Sequence, residues 1–184
     1  MTQMIDVILV DENDTPVGKA EKLDAHVRGL LHRAFSVFLY NEKGELLLQQ
    51  RAQSKYHSPG LWANTCCGHP YLNEENEEAA TRRLFEELGA RAPLSYRGHV
   101  RYELALADGL IEHELTHIFE GVVEAKDFAM SLNPDEIMEI TWMTPEAIRA
   151  HARARPEIYA KWFLFYLDHH YEKIFGPAPI SLAS

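Results

Sequence analysis

The feature that most constrains this chain is a fixed spacing of charged residues around one amphipathic segment. Gly68 is followed after five residues by Glu74, then after seven more by Arg82-Arg83-Leu84-Phe85-Glu86-Glu87-Leu88-Gly89-Ala90. Ala80, Leu84 and Leu88 recur at i+4 and make a narrow apolar stripe, which predicts a helix over residues 76–88 with one edge on a core. Gly89 is placed to end it. Arg83 and Glu87 lie one turn apart and share a face. A guanidinium beside a carboxylate suits a diphosphate: the cation grips one oxygen directly, and the carboxylate holds a Mg2+ that the phosphate oxygens complete. The competing reading is a solvated helix face on which Arg82 pairs with Glu78 and Glu86.

The chain has 184 residues, enough for one domain with a core that needs no covalent staples. A formal net charge of -10 opposes general affinity for nucleic acid or an anionic membrane, so an anionic ligand requires a local basic pocket. The two cysteines, Cys66 and Cys67, are sequence neighbours, which excludes a disulfide framework and points to a reducing, cytoplasmic setting. The start of the chain lacks the basic-then-apolar pattern of a signal peptide, and no apolar run reaches membrane-spanning length. The expectation is a cytoplasmic protein.

Along the chain, residues 4–10 read as a strand, and 18–31 as a loop-rich arm carrying Lys22, His26 and, just beyond it, His32. Residues 34–40 and 46–50 flank Asn41-Glu42-Lys43-Gly44 and read as a hairpin. Residues 62–66 read as one short strand leading to the Gly68-His69-Pro70 turn. Strands follow at about 98–104 and 110–123, then at 136–143. Thr144-Pro145 starts a helix, and Pro156 starts a last helix running to Gly176-Pro177, with a disordered tail beyond. Strands, a central helix, more strands and terminal helices make a mixed α/β or α+β domain.

Alternation on the 110–123 strand puts Glu112, Glu114 and Thr116 on one face and His113, Leu115 and His117 on the other. Two carboxylates on one face offer a divalent cation a site. With His26, His32 and His69 they form a mixed nitrogen and oxygen set suited to Mn2+ or Mg2+ and tolerable to Zn2+. Spacing alone leaves open whether these distant groups converge. Cys67 reads either as an inert buried thiol or as a reactive one whose pKa a positive neighbour or metal lowers. Cys66 faces elsewhere if the segment is extended. Lys22, Arg51, Lys55 and Arg83 come from four separate segments and read individually as solvated surface. Trp162 and Tyr102 are ordinary core aromatics, except that a buried Tyr102 hydroxyl demands a partner.

The Gly68-to-Ala90 frame is that of the Nudix box, with Arg83 where a Nudix hydrolase carries a glutamate. Adding Asn64-Thr65-Cys66-Cys67-Gly68-His69-Pro70, the Arg51-Ala52-Gln53-Ser54-Lys55 run, Tyr102 ten residues before Glu112-His113-Glu114, and Trp162, the chain resembles the type 1 isopentenyl-diphosphate delta-isomerase family from about residue 5 to 165. The resemblance implies a Nudix-like mixed-sheet sandwich with flanking helices. Its core spans about 30–145, with an N-terminal strand and arm over 1–29 and C-terminal helices over 145–176. It implies a double-bond shift between isopentenyl and dimethylallyl diphosphate, with Cys67 and Glu114 as the acid-base pair, assisted by Tyr102, and with Trp162 facing the cation. His26, His32, His69, Glu112 and Glu114 would bind a first metal, and Glu87 the Mg2+ on the diphosphate, surrounded by Lys22, Arg51, Lys55 and Arg83. The implied partner is a small diphosphate, with no nucleic acid or membrane, on a monomer or weak homodimer.

Two other readings compete. A Nudix hydrolase of nucleoside diphosphate derivatives needs a cluster of helix glutamates to activate water, and Arg83 weakens that cluster. A non-catalytic structural zinc module needs paired Cys or His spacings, which adjacent cysteines do not supply.

Overall fold

The computed structural model describes residues 5–177. Residue 4 of the expected first strand and the tail 178–184, expected to be disordered, lie outside the described residues. In chain order the elements are Asp6–Val10 (β1), Pro16–Glu21 (β2), Lys22–Arg28 (α1), His32–Asn41 (β3), Leu46–Arg51 (β4), Trp62–Ala63 (β5), Cys66–Gly68 (β6), Asn76–Leu88 (α2), Ser95–Ala105 (β7), Ile111–Val123 (β8), Ile137–Met143 (β9), Pro145–Ala154 (α3), Lys161–His169 (α4) and Tyr171–Phe175 (α5).

Among the described residues all nine strands join one mixed sheet with β3 as its hub. β3 runs parallel to β8 from His32 opposite Glu114 to Asn41 opposite Val123, and antiparallel to β6, with Ser36 opposite Cys67. β7 pairs antiparallel with β8, and β9 with β4. Side-chain alternation then makes two large cores, beside a small cluster of Ile8, Val10 and Leu115. Phe35, Val37, Leu39, Leu47 and Cys66 pack with Ala80, Leu84 and Leu88 of α2 on one face. Phe38, Leu46, Leu48, Tyr102 and Ile118 pack with Trp162, Phe163 and Tyr166 of α4 on the other. Each fully buried leucine or phenylalanine contributes about 1.5–3 kcal/mol. The result is the mixed-sheet sandwich with flanking helices that the sequence predicts.

α2 spans the predicted residues, and its apolar stripe is buried. Gly89 ends it at φ 65, a left-handed conformation that glycine adopts without a Cβ clash. A Cβ there would stand 2.7 Å from the Ser131 carbonyl oxygen. Ser131 and Asn133 donate their backbone N–H groups to the carbonyls of Leu88 and Glu87, so the loop before β9 caps the helix. Gly68 serves close approach: a Cβ would press on Phe35 and on the Arg83 stem.

Three sequence expectations need correction. Residues 18–31 are not a loop-rich arm but contain most of β2 and all of α1. β2 is an exposed edge strand without clear alternation, and α1 has only seven residues, capped by the Glu21 carboxylate and ended by Gly29 in the left-handed region. Residues 62–66 are not one strand: β5 pairs with β4, whereas β6 pairs with β3. The last helix does not start at Pro156. Pro156–Ile158 is a single 3-10 turn, Ala160 donates its backbone N–H to the Trp62 carbonyl at 2.9 Å, and α4 begins only afterwards. A second break at His170 separates α4 from α5.

Candidate active site

Strand register assembles the centre of the site. The parallel β3–β8 pairing sets His32 beside Glu114, and the β7–β8 pairing sets Tyr102 on Glu114's other side. His69 follows β6 directly, and the helix α1 delivers His26. One ligand atom from each of His26, His32, His69 and Glu114 lies within 4.8 Å of the others. The Nε2 atoms of His69, His32 and His26 stand 3.2, 3.5 and 3.9 Å from Glu114 Oε1.

The tautomers explain what this cluster is built for. His26 donates Nδ1–H to the Lys22 carbonyl and His32 to the Leu30 carbonyl, each at 2.7 Å. That leaves both Nε2 lone pairs aimed at a carboxylate oxygen, and both atoms are buried with no hydrogen-bond partner among the described residues. Converging lone pairs repel one another unless a cation lies between them, so the donors fit a divalent metal. Electrostatics prepares the same state. Burial pushes the pKa of His26 down and that of His69 to about 3, which keeps the imidazoles neutral. Burial opposes the charge on Glu114, but the adjoining His32 and His69 imidazoles hold its carboxyl well below the usual range.

Glu112, expected beside Glu114, faces the same cavity but turns to His57, whose Nδ1 is 3.6 Å from Glu112 Oε1. Burial and the neighbouring Glu114 charge push the Glu112 pKa well up. It lies outside the four-donor cluster.

The cysteines divide as alternation requires. Cys66 is fully buried against α2, and Cys67 lines the cavity with Ser36. Of the two readings of Cys67, the lowered pKa is the one that fails: burial pushes the thiol up to about 12, with Arg51 pulling only partly back. Tyr102 is buried, and its hydroxyl donates to Glu114 Oε2 at 2.6 Å, the partner that burial demands. Burial raises its pKa well above the usual value, so it stays a donor. Trp162 is buried, its Nε1–H donates to Asn64 Oδ1 at 3.1 Å, and the Arg51 guanidinium sits 5.2 Å from its ring centre.

Lys22, Arg51, Lys55 and Arg83, scattered in sequence, all line one cavity of about 170 Å³ with Cys67, Glu112, Glu114, Glu87 and Trp162. Burial, then repulsion from Lys55, Arg83 and Arg51, lowers the Lys22 pKa to about 8. Arg83 donates to Glu87 Oε1 at 2.5 Å and to Glu86 Oε2 at 2.7 Å, and Gln49 donates to Glu87 Oε2 at 3.0 Å. Arg82 pairs with Glu74 and Glu86 rather than with Glu78. A larger, open groove of about 1020 Å³ follows the outer side of α2, and His26, His32 and His69 do not line it.

Sequence reasoning missed His57, Tyr56 and Glu136, and gave Asn64 no role beyond its place in the motif. His57 stacks on His26 with ring centres 5.9 Å apart, and Glu136 bonds Lys55 at 2.5 Å and Arg83 at 3.2 Å. Tyr56-His57 sits inside a loop read only for Lys55, and Glu136 precedes a strand read only for its pattern. Their adjacency to recognised residues was the available signal.

This fold and site define a Nudix domain protein: the NUDIX domain family matches residues 30–163. Solved structures of the Deinococcus radiodurans protein DR0079 and a MutT protein from Methanosarcina mazei share the fold. Both are 24% identical, with TM-scores of 0.66 and 0.60, covering 81% and 75% of this chain and 89% and 91% of theirs. Within that fold, the chain belongs to the isopentenyl-diphosphate delta-isomerase family. It is 48% identical over 160 residues to the isopentenyl-diphosphate delta-isomerase of Pectobacterium atrosepticum, covering 87% of this chain and 88% of that protein. It is 49% identical over 164 residues to that of Streptomyces coelicolor, covering 87% and 80%.

Proposed function

We propose that this protein is an isopentenyl-diphosphate delta-isomerase, converting isopentenyl diphosphate reversibly to dimethylallyl diphosphate by a 1,3-allylic proton shift. One observation carries the reading: a thiol and a carboxylate, Cys67 and Glu114, line one small cavity that four cations also line. In the forward direction one of the pair adds a proton to C4 of the alkene, and the π electrons form that bond, leaving a tertiary cation at C3. The other removes a proton from C2, and the C–H electron pair becomes the C2=C3 double bond. Acid and base exchange roles with direction. Tyr102 steadies Glu114 through its hydroxyl. The Trp162 ring stabilises the cation, an interaction worth about 2 kcal/mol when desolvated.

Lys22, Arg51, Lys55 and Arg83 hold the diphosphate, so that the hydrocarbon is presented to Cys67 and Glu114. His26, His32, His69 and Glu114, with Glu112 adjoining, would hold Mn2+ or Mg2+, with Zn2+ tolerated, and Glu87 the Mg2+ that accompanies the diphosphate. When bound, the first metal fixes the Glu114 carboxylate and tunes its proton affinity. We place the reaction in one domain with its core over about 30–145, acting as a monomer or weak homodimer in the cytoplasm, without nucleic acid or membrane partners. The two free cysteines support that setting.

Phosphorus NMR of the protein with isopentenyl diphosphate and Mg2+ tests the reading against the hydrolase alternative. The diphosphate resonances are expected to persist while dimethylallyl diphosphate accumulates. Phosphate or diphosphate released from nucleoside diphosphate derivatives, with no isomer formed, would contradict it.

A further inference from the structure

We infer that Glu136 is a built-in counter-anion of the diphosphate site: it neutralises Lys55 and Arg83 until the substrate's diphosphate takes them over. The inference rests on the function proposed above. A single oxygen, Glu136 Oε2, lies 2.5 Å from Lys55 Nζ and 3.2 Å from Arg83 Nη2. That oxygen therefore occupies the position between two cations that a phosphate oxygen would take.

The backbone fixes this placement from both sides. Glu136 donates its N–H to the Asn133 carbonyl, Asn133 donates to the Glu87 carbonyl at the end of α2, and Ala52, three residues before Lys55, donates to the Glu136 carbonyl. Two carboxylates thus serve one cation cluster, with different mobility. Glu87 is buried and tied to Gln49 as well as Arg83. Glu136 is 19% exposed, and the two cations are its side chain's only partners among the described residues. An arriving anion can displace Glu136 by rotating one side chain toward solvent, whereas Glu87 stays in place.

Two effects oppose each other when the Glu136 charge is removed. The diphosphate no longer has to break the Glu136 pairs with Lys55 and Arg83, which tightens binding. Against this, Lys55 loses its partner and must be ordered by the ligand. Arg83 remains held by Glu86 and Glu87, so only one side chain is loosened. At a few ångströms and an effective dielectric of about 20, the two ion pairs that no longer have to be broken outweigh the ordering cost of one lysine. The charge effect wins.

The test is calorimetric titration of inorganic diphosphate, with Mg2+, into the wild type and Glu136→Gln, together with steady-state kinetics on isopentenyl diphosphate. Glu136→Gln is expected to bind inorganic diphosphate roughly tenfold more tightly, with KM and kcat falling together because the product's diphosphate is also released more slowly. Unchanged or weaker binding overturns the inference and makes Glu136 a support for Lys55. If the glutamine variant does not fold, Glu136→Asp withdraws the charge by one methylene and is expected to bind more tightly than the wild type by a smaller factor; weaker binding again overturns it. A wild type that binds inorganic diphosphate yet leaves isopentenyl diphosphate unchanged defeats the proposed function instead.

Discussion

Cys66 and Cys67 occupy successive positions of an extended strand, and successive side chains point to opposite sheet faces. The offset sends one sulfur into the α2 core and the other into the cavity. Cys67→Ala is expected to lower kcat by at least about 10³-fold, within the range of general acid-base contributions, while circular dichroism and the melting temperature stay near wild type. Cys66→Ala is expected to keep its turnover and lose about 1 kcal/mol of stability in denaturant titration. Comparable turnover in Cys67→Ala would remove that residue from the chemistry. Replacing Arg83 by Glu sets another carboxylate among Glu86, Glu87 and Glu136, and a rise in KM for the diphosphate substrate is expected; an unchanged KM would place Arg83 outside the binding step.

At the scale of elements, the loop after α2 is a part whose strength can be measured. Gly89→Ala forces a Cβ into the left-handed region and against the Ser131 carbonyl, so a loss of about 2 kcal/mol in urea unfolding is expected. The turn before α2 adds a pH dependence. Two hydrogen bonds from Arg82 and one from the Tyr71 N–H hold the Glu74 pKa below its ordinary 4.5. A depressed carboxyl stabilises the fold above its unfolded pKa and ceases to do so as pH falls through the folded value. Glu74→Gln is therefore expected to melt below the wild type at pH 7, by about 1 kcal/mol, with the gap closing as pH drops below about 4.5; a gap independent of pH would contradict the assignment. α2 was legible in the sequence because its stripe and terminal glycine agree. α1 was not, because seven residues hold too few turns to show a period and its cap is Glu21 rather than a usual Ser, Thr, Asp or Asn. The break between Pro156 and α4 was illegible for another reason: it is set by the Ala160 bond to Trp62, a tertiary contact.

For the whole molecule, the separate residues of the site were legible but their convergence was not. Alternation put Glu112 and Glu114 on one face, yet only the parallel β3–β8 register brings His32 to Glu114, and pattern alone cannot choose that pairing. His57 and Glu136 act through neighbours remote in sequence, which is why neither stood out. A cation shared by His26, His32, His69 and Glu114 would tie α1, β3, the turn after β6 and β8 together. Mn2+ is expected to raise the melting temperature, with about 2.7 kcal/mol gained at a hundredfold excess over Kd. His26→Ala is expected to stay folded and weaken Mn2+ at least about tenfold. Unaltered Mn2+ binding in that variant would contradict the cluster. The central claim, that Cys67 and Glu114 move protons across an allylic unit whose diphosphate stays intact, is tested most directly by proton NMR of isopentenyl diphosphate with the enzyme in deuterated water. Dimethylallyl diphosphate carrying solvent deuterium in a methyl group is the expected result. Isopentenyl diphosphate that remains unlabelled and unconverted would contradict the claim.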